Sequence, residues 1–207
     1  MVKFLLDHYP EKFSKPAMVT SFKKLVVRHP VLTFRLVIGH WQLLRTVTHV
    51  KQHPSITGKG QLVAIAGFIL NLANYELNKY KDKEKIVLWD ELFLQRILSL
   101  VGYSMHKPPN VLLNKFIDSY ERYSAIPVFL ECEPGICLER IKKRGLPNRM
   151  KAIPSGEIKE ILQTQKSILH YLEEHIGNKI VISTEGTMEE LQIKINSQLH
   201  PLTGENL

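Results

Sequence analysis

Cysteine is scarce in this chain. Cys132 and Cys137 are the only two among 207 residues. A C-x₄-C pair with no second ligand pair makes a poor zinc site. Two buried free thiols suit a reducing, cytoplasmic compartment. The nine histidines are scattered, without an H-x₃-H or H-E-x-x-H spacing, so no zinc site is expected from them either. No charge-free apolar run reaches the roughly 18 residues of a membrane span. The longest, Leu62 to Leu72, reads as a buried core helix, and no membrane partner is expected. The first residues, MVKFLLDHYPEK, lack the basic and apolar regions of a signal peptide. Repeats and low-complexity segments are missing too. So is the phosphate loop G-x-x-x-x-G-K-[ST]. Its nearest approach is Gly58-Lys59-Gly60, which precedes a helix. His53 stands where the first glycine should be, Gly60 where Ser or Thr should be, and no strand leads in. That segment reads as a surface loop.

What is present is ordinary in amount and uneven in pattern. Hydrophobic residues make up 44% and charged residues 23%, enough for one soluble domain with a substantial core. The net charge is +8 and the isoelectric point about 9.4. Such a balance is either a solvated basic surface or an attraction to phosphate, as nucleotide, nucleic acid or anionic lipid. Aromatic residues are not interleaved with basic ones, so a stacking platform for single-stranded nucleic acid is disfavoured.

Residues 1–80 read as helical and irregular, a region suited to an acceptor pocket. Helices are predicted over 18–29, 31–50 and 61–80, with Pro30 opening the second and a loop over 53–60. From residue 81 the pattern changes. Apolar runs at 86–90, 126–132 and 179–183 read as buried parallel strands. Helices are predicted between and after them at 92–101, 110–123, 134–144, 155–176 and 187–199. Asn110 is a plausible N-cap and Gly177 a helix-ending glycine. Residues 145–156, rich in Gly and Pro, suit a lid, and the tail from 200 to 207 is expected to fray. Alternation of strands and helices predicts an α/β fold, a three-layer parallel sheet with helices on both faces.

Two clusters carry chemistry. Asp90 and Glu91 end the first strand, where open α/β sheets place ligands. Asp90 could hold Mg²⁺ through water and Glu91 could orient an acceptor hydroxyl, or both could cap the following helix. Gln95 and Arg96 lie one turn on, and Arg96 could bind a phosphate. The second cluster is Arg140, Lys143 and Arg144 on one helix, with Arg149 in the loop beyond. Guanidiniums one turn apart can stack on a base and grip phosphate together. Basic residues are also welcome at any helix C-terminus. Ser183-Thr184-Glu185-Gly186, after the last strand, could offer backbone groups to a base.

Taken together, IVLWDELFLQR (86–96), IPVFLECEPGICLERIKKRGLPNRM (126–150) and residues 179–186 resemble the P-loop kinases of the thymidylate and nucleoside kinase group. The resemblance covers roughly residues 61–199. It implies a P-loop-type sheet, incomplete at the N-terminus, and ATP- and Mg²⁺-dependent phosphoryl transfer to a small acceptor. By position it implies Asp90 near the metal and acceptor, Arg96 on the acceptor and Arg140 over adenine. It further implies Arg144 and Arg149, beside Lys143, at the phosphates, and Thr184 to Gly186 along the adenine edge. The family's first strand and glycine-rich loop are missing here. A start site placed too late is the expected reason, with Val2 to Leu6 as a substitute strand, or direct pairing of 86–90 with 126–132, as alternatives. Catalysis is therefore expected to be weak. A non-catalytic nucleotide- or polyphosphate-binding module, or a basic scaffold for nucleic acid or an anionic sugar, are the other readings.

Overall fold

The computed structural model describes residues 6, 10–56, 58–79, 86–89, 93–104, 106–123, 125–147, 150–151 and 153–203. The chain divides into two compact units. The first comprises residues 1–50 and 57–100, the second 51–56 and 101–207.

The first unit is helical. Short strand β1 (Phe13–Ser14) precedes α1 (Phe22–Arg28), α2 (Pro30–Gly39), α3 (Trp41–Thr48) and α4 (Gly58–Asn78). Strand β2 (Ile86–Val87) and α5 (Phe93–Val101) follow. Ser21 caps α1 by accepting a hydrogen bond from the Lys24 N–H (3.2 Å), and Pro30 opens α2 without losing a needed donor. The helix predicted over 31–50 is broken at His40. Gly39 is a weak helix former there, and His40 is buried edge-on against Phe68, with ring centroids 6.0 Å apart. Leu25 and Leu36 pack on α4, whose Phe68 meets Phe93 at 5.1 Å. β1 pairs in parallel with β2, Phe13 opposite Ile86.

In the second unit, α6 (Asn110–Tyr120) leads to β3 (Val128–Glu131) and α7 (Pro134–Arg144). Then come α8 (Ser155–His175), β4 (Ile180–Ser183) and α9 (Met188–Thr203). Pro109, not Asn110, is the N-cap of α6. Ile176 closes α8 in an extended conformation, and the positive-φ glycines among the described residues are Gly145 and Gly186, so Gly177 is not a left-handed cap. β3 and β4 pair in parallel from Val128 opposite Ile180 to Glu131 opposite Ser183. Met150, Ile153, Ile158, Ile161 and Leu162 form one buried cluster, so the described end of the 145–156 segment is anchored on α8.

The three-layer parallel sheet predicted from the sequence is not the fold. Helices dominate, and the described strands form two separate parallel pairs, two and four residues long. Within the predicted run, Ile86–Val87 pair with Phe13–Ser14 and not with 128–131. A layered sheet needs several ladders in register, with helices sealing both faces. Here β3 buries Phe129 but leaves Leu130 49% exposed. Residues 2–5, the suggested substitute strand, lie outside the described residues. Among the described residues, no helix is long and apolar enough to cross a membrane.

Candidate functional site

The carboxyl ends of β3 and β4 bring together residues that the sequence separates by some fifty positions. After β3 the chain passes through Cys132 and Glu133 into α7, where Pro134 fits the first turn. After β4 it passes through Thr184, Glu185 and Gly186 into α9. Arg140, on α7, joins the two exits. Its Nη2 donates to the Thr184 carbonyl (2.9 Å) and its Nη1 to the Thr184 hydroxyl (3.2 Å) and the Cys132 sulfur (3.6 Å). Thr184 in turn donates its N–H and its hydroxyl to the Glu131 carbonyl, both at 2.8 Å. The loop therefore continues the β3–β4 ladder by one residue and is held there by the guanidinium.

Acidic groups crowd the same end. The Glu185 carboxylate accepts the Glu133 N–H at 3.2 Å, and Lys166 of α8 reaches the Glu133 carboxylate at 2.5 Å. That hydrogen bond raises the Lys166 pKa above its usual value. Gly186 has φ +121°, which L side chains rarely adopt, and a Cβ there would meet the Glu190 carboxylate. That carboxylate accepts the Thr187 N–H (2.8 Å) while the Thr187 hydroxyl accepts the Glu190 N–H (3.2 Å). This is a capping box at the start of α9, and it is the local reason for the glycine.

The two thiols lie beside this clamp. Cys137 Sγ approaches the Cys132 carbonyl at 3.8 Å, and both cysteines are free and partly buried. Burial first, and then the hydrogen bond with the Cys132 thiol, push the Cys137 pKa up to about 11. Among the described residues no cluster of His, Cys, Asp and Glu is suited to a metal.

The predicted site residues are thus distributed unevenly. Arg140, Thr184 and Gly186 are brought together, but Arg140 directs its hydrogen bonds to Thr184 and Cys132 rather than outward. Lys143 and Arg144 lie exposed on the last turn of α7, beside Lys142. Arg96 is half-buried on α5 with its guanidinium against Gly67 of α4, 3.4 Å from where a Cβ would stand, so it packs on a helix of its own unit. Asp90, Glu91 and Arg149, and with Asp90 the Mg²⁺ position, lie outside the described residues.

One pair escaped sequence reasoning. His53, 5% exposed, meets the Glu157 carboxylate of α8 through Nε2, while its Nδ1 accepts the Ser55 N–H (3.1 Å). With Nδ1 an acceptor, the neutral imidazole carries its proton on Nε2 and donates it to Glu157. The partners are 104 positions apart, and nothing at that range marks them in the sequence. Compared with protein-family models, with curated proteins and with solved structures, the chain matches none.

Proposed function

We propose that this chain binds a nucleotide or a related polyphosphate at the carboxyl end of the β3–β4 pair and along α7. The observation that carries the reading is the Arg140 clamp. It ties the helix with the basic end to the loop that the kinase resemblance assigns to the adenine edge. With its donors spent on Thr184 and Cys132, Arg140 acts as a positioning residue for the Thr184–Gly186 loop. The phosphates then fall to the exposed cations Lys143 and Arg144, one turn further along the helix. The carboxylates of Glu131, Glu133 and Glu185 would repel phosphate, so the base belongs on the loop side and the phosphates at the basic turn.

Phosphoryl transfer from ATP and Mg²⁺ to a small acceptor is the extended form of this reading. It asks in addition for Asp90, Glu91 and Arg149 to converge, and for a backbone cradle that the sequence does not carry in its usual form. Binding without efficient turnover is therefore the expected behaviour. Titration of the intact protein with ATP and with inorganic tripolyphosphate tests it. A Lys143→Ala/Arg144→Ala variant should bind both about tenfold more weakly or worse, as expected for lost charge-assisted contacts, with an unchanged circular dichroism spectrum. ATP hydrolysis should stay below about 1 s⁻¹, the low end for kinases. Wild-type affinity that is absent, or that survives the double substitution, would sink the reading.

A further inference from the structure

We infer that the helical first unit docks on the surface of an anionic lipid bilayer. Three observations converge on this. Helix α2 is apolar on both sides: Leu36 is buried against the core, yet Val31 is 80%, Phe34 69% and Ile38 59% exposed. Spacings of three and four place these three side chains on one stripe. Apart from Arg35, which pairs with Glu76, its exposed side is apolar, as suits a helix against a partner or lipid. The outward side chains continue beyond α2. Trp41 of α3 and Leu62 of α4 are 57% and 67% exposed and border a groove of about 290 Å³ floored by Leu44 and Ile65. Exposed apolar side chains thus stand on three helices, and Val37 of α2 lines the groove with Trp41 and Leu62; apolar exposure on this scale marks an interaction site.

Charge identifies the partner. Between Lys12 and Tyr75 the sequence holds nine lysines and arginines and no aspartate or glutamate. Lys23, Lys24 and Arg28 are exposed on α1 and flank the exposed Val26 and Val27, and Arg45 lines the groove itself. Aliphatic and aromatic side chains interleaved with cations match an acyl boundary under anionic headgroups. Glu76, which pairs with Arg35 of α2 at 3.4 Å, is an acid that reaches this helix. A second copy of this chain would set the same cations against one another. A nucleic acid would leave Val31, Ile38 and Leu62 without apolar partners. The expectation of no membrane contact rests on the lack of a spanning run, and surface binding needs none.

Sedimentation of the full chain with vesicles tests this. It should pellet with phosphatidylcholine vesicles containing about 30% phosphatidylserine, a strongly anionic surface. It should stay in solution with phosphatidylcholine alone, and release at about 0.5 M salt as screening shortens the field. In a Trp89→Phe background, Trp41 emission should shift to the blue on the anionic vesicles. Phe34→Asp/Ile38→Asp and, separately, Lys23→Glu/Lys24→Glu/Arg28→Glu should each weaken binding about tenfold or more. All five positions are exposed, so both variants should keep the wild-type circular dichroism spectrum. No pelleting by the folded wild type would overturn the proposal, as would equal binding to both vesicle types or indifference to the Phe34/Ile38 change. Displacement from vesicles by duplex DNA that the Phe34/Ile38 variant binds as well as the wild type would assign the face to nucleic acid. A stable dimer lost on the same substitution would assign it to self-association.

Discussion

Asn74 is fully buried on α4, and its amide does the work of a strand partner. Oδ1 accepts the Val19 N–H at 2.7 Å and Nδ2 donates to the Val19 carbonyl at 3.1 Å, so a segment outside any helix or strand is fastened to a helix by one side chain. Asn78 adds a bond to Ala17 at 2.9 Å. Asn74→Ala leaves both Val19 groups unmatched and should cost about 1–3 kcal/mol in urea unfolding. Asn74→Asp should cost more at neutral pH, since a carboxylate then faces the Val19 carbonyl, and should recover part of the loss on acidification. Equal losses for the two variants at every pH would count against this account. Cys137 gives a second test at the same scale. Its pKa is 9.0 unperturbed and about 11 when folded, so the folded state holds the proton more tightly. This contribution is whole below pH 9.0 and is lost as pH rises toward 11. Unfolding free energy should therefore decline over that window, and the decline should be shallower in Cys137→Ala. Identical slopes in the two proteins would refute the assignment.

Elements whose ends are set by local chemistry were legible in the sequence. Helix α7 begins at Pro134 and ends at Arg144, as the proline and the following Gly145 predict, and α8 begins at Ser155 as expected. The long apolar helix α4 was readable from spacing from Gln61 onward, but its first turn, Gly58 to Gly60, read as a loop. What failed is pairing. The runs at 86–90 and 126–132 look alike as strings of apolar residues, and nothing in them states which partner each will take. Ile86 found Phe13, a residue in a stretch without strand periodicity, and Val128 found Ile180. Strand partners are chosen by contacts distant in sequence, which composition and period do not encode. The site divides the same way. Arg140, Thr184 and Gly186 were singled out in the sequence by their place on the basic helix and after the last strand, and the structure brings Arg140 to Thr184. That Arg140 spends its donors on Thr184 was not legible, since it depends on two loops meeting. The contact between His53 and Glu157 was hidden for the same reason.

At the scale of the whole molecule, the charge is unevenly shared. The net charge is +8, yet the stretch from Lys12 to Tyr75 alone carries nine basic and no acidic residues, which leaves the remainder of the chain at −1. The basic character that suggests phosphate binding thus comes from the stretch of the docking face, while the β3–β4 end is acidic apart from Arg140, Lys166 and the last turn of α7. Two anion-binding behaviours should then separate. Attraction to an extended anionic surface depends on many cations and falls steeply with salt. A nucleotide held by Lys143 and Arg144 depends on few charges and should be much less sensitive. On a cation-exchange column, Lys23→Glu/Lys24→Glu/Arg28→Glu should elute at markedly lower salt than the wild type while keeping its ATP affinity. Lys143→Ala/Arg144→Ala should do the reverse, losing ATP with only a small change in elution. If either variant removed both properties together, the basic charge of this chain would act as one field and the division into two sites would fail.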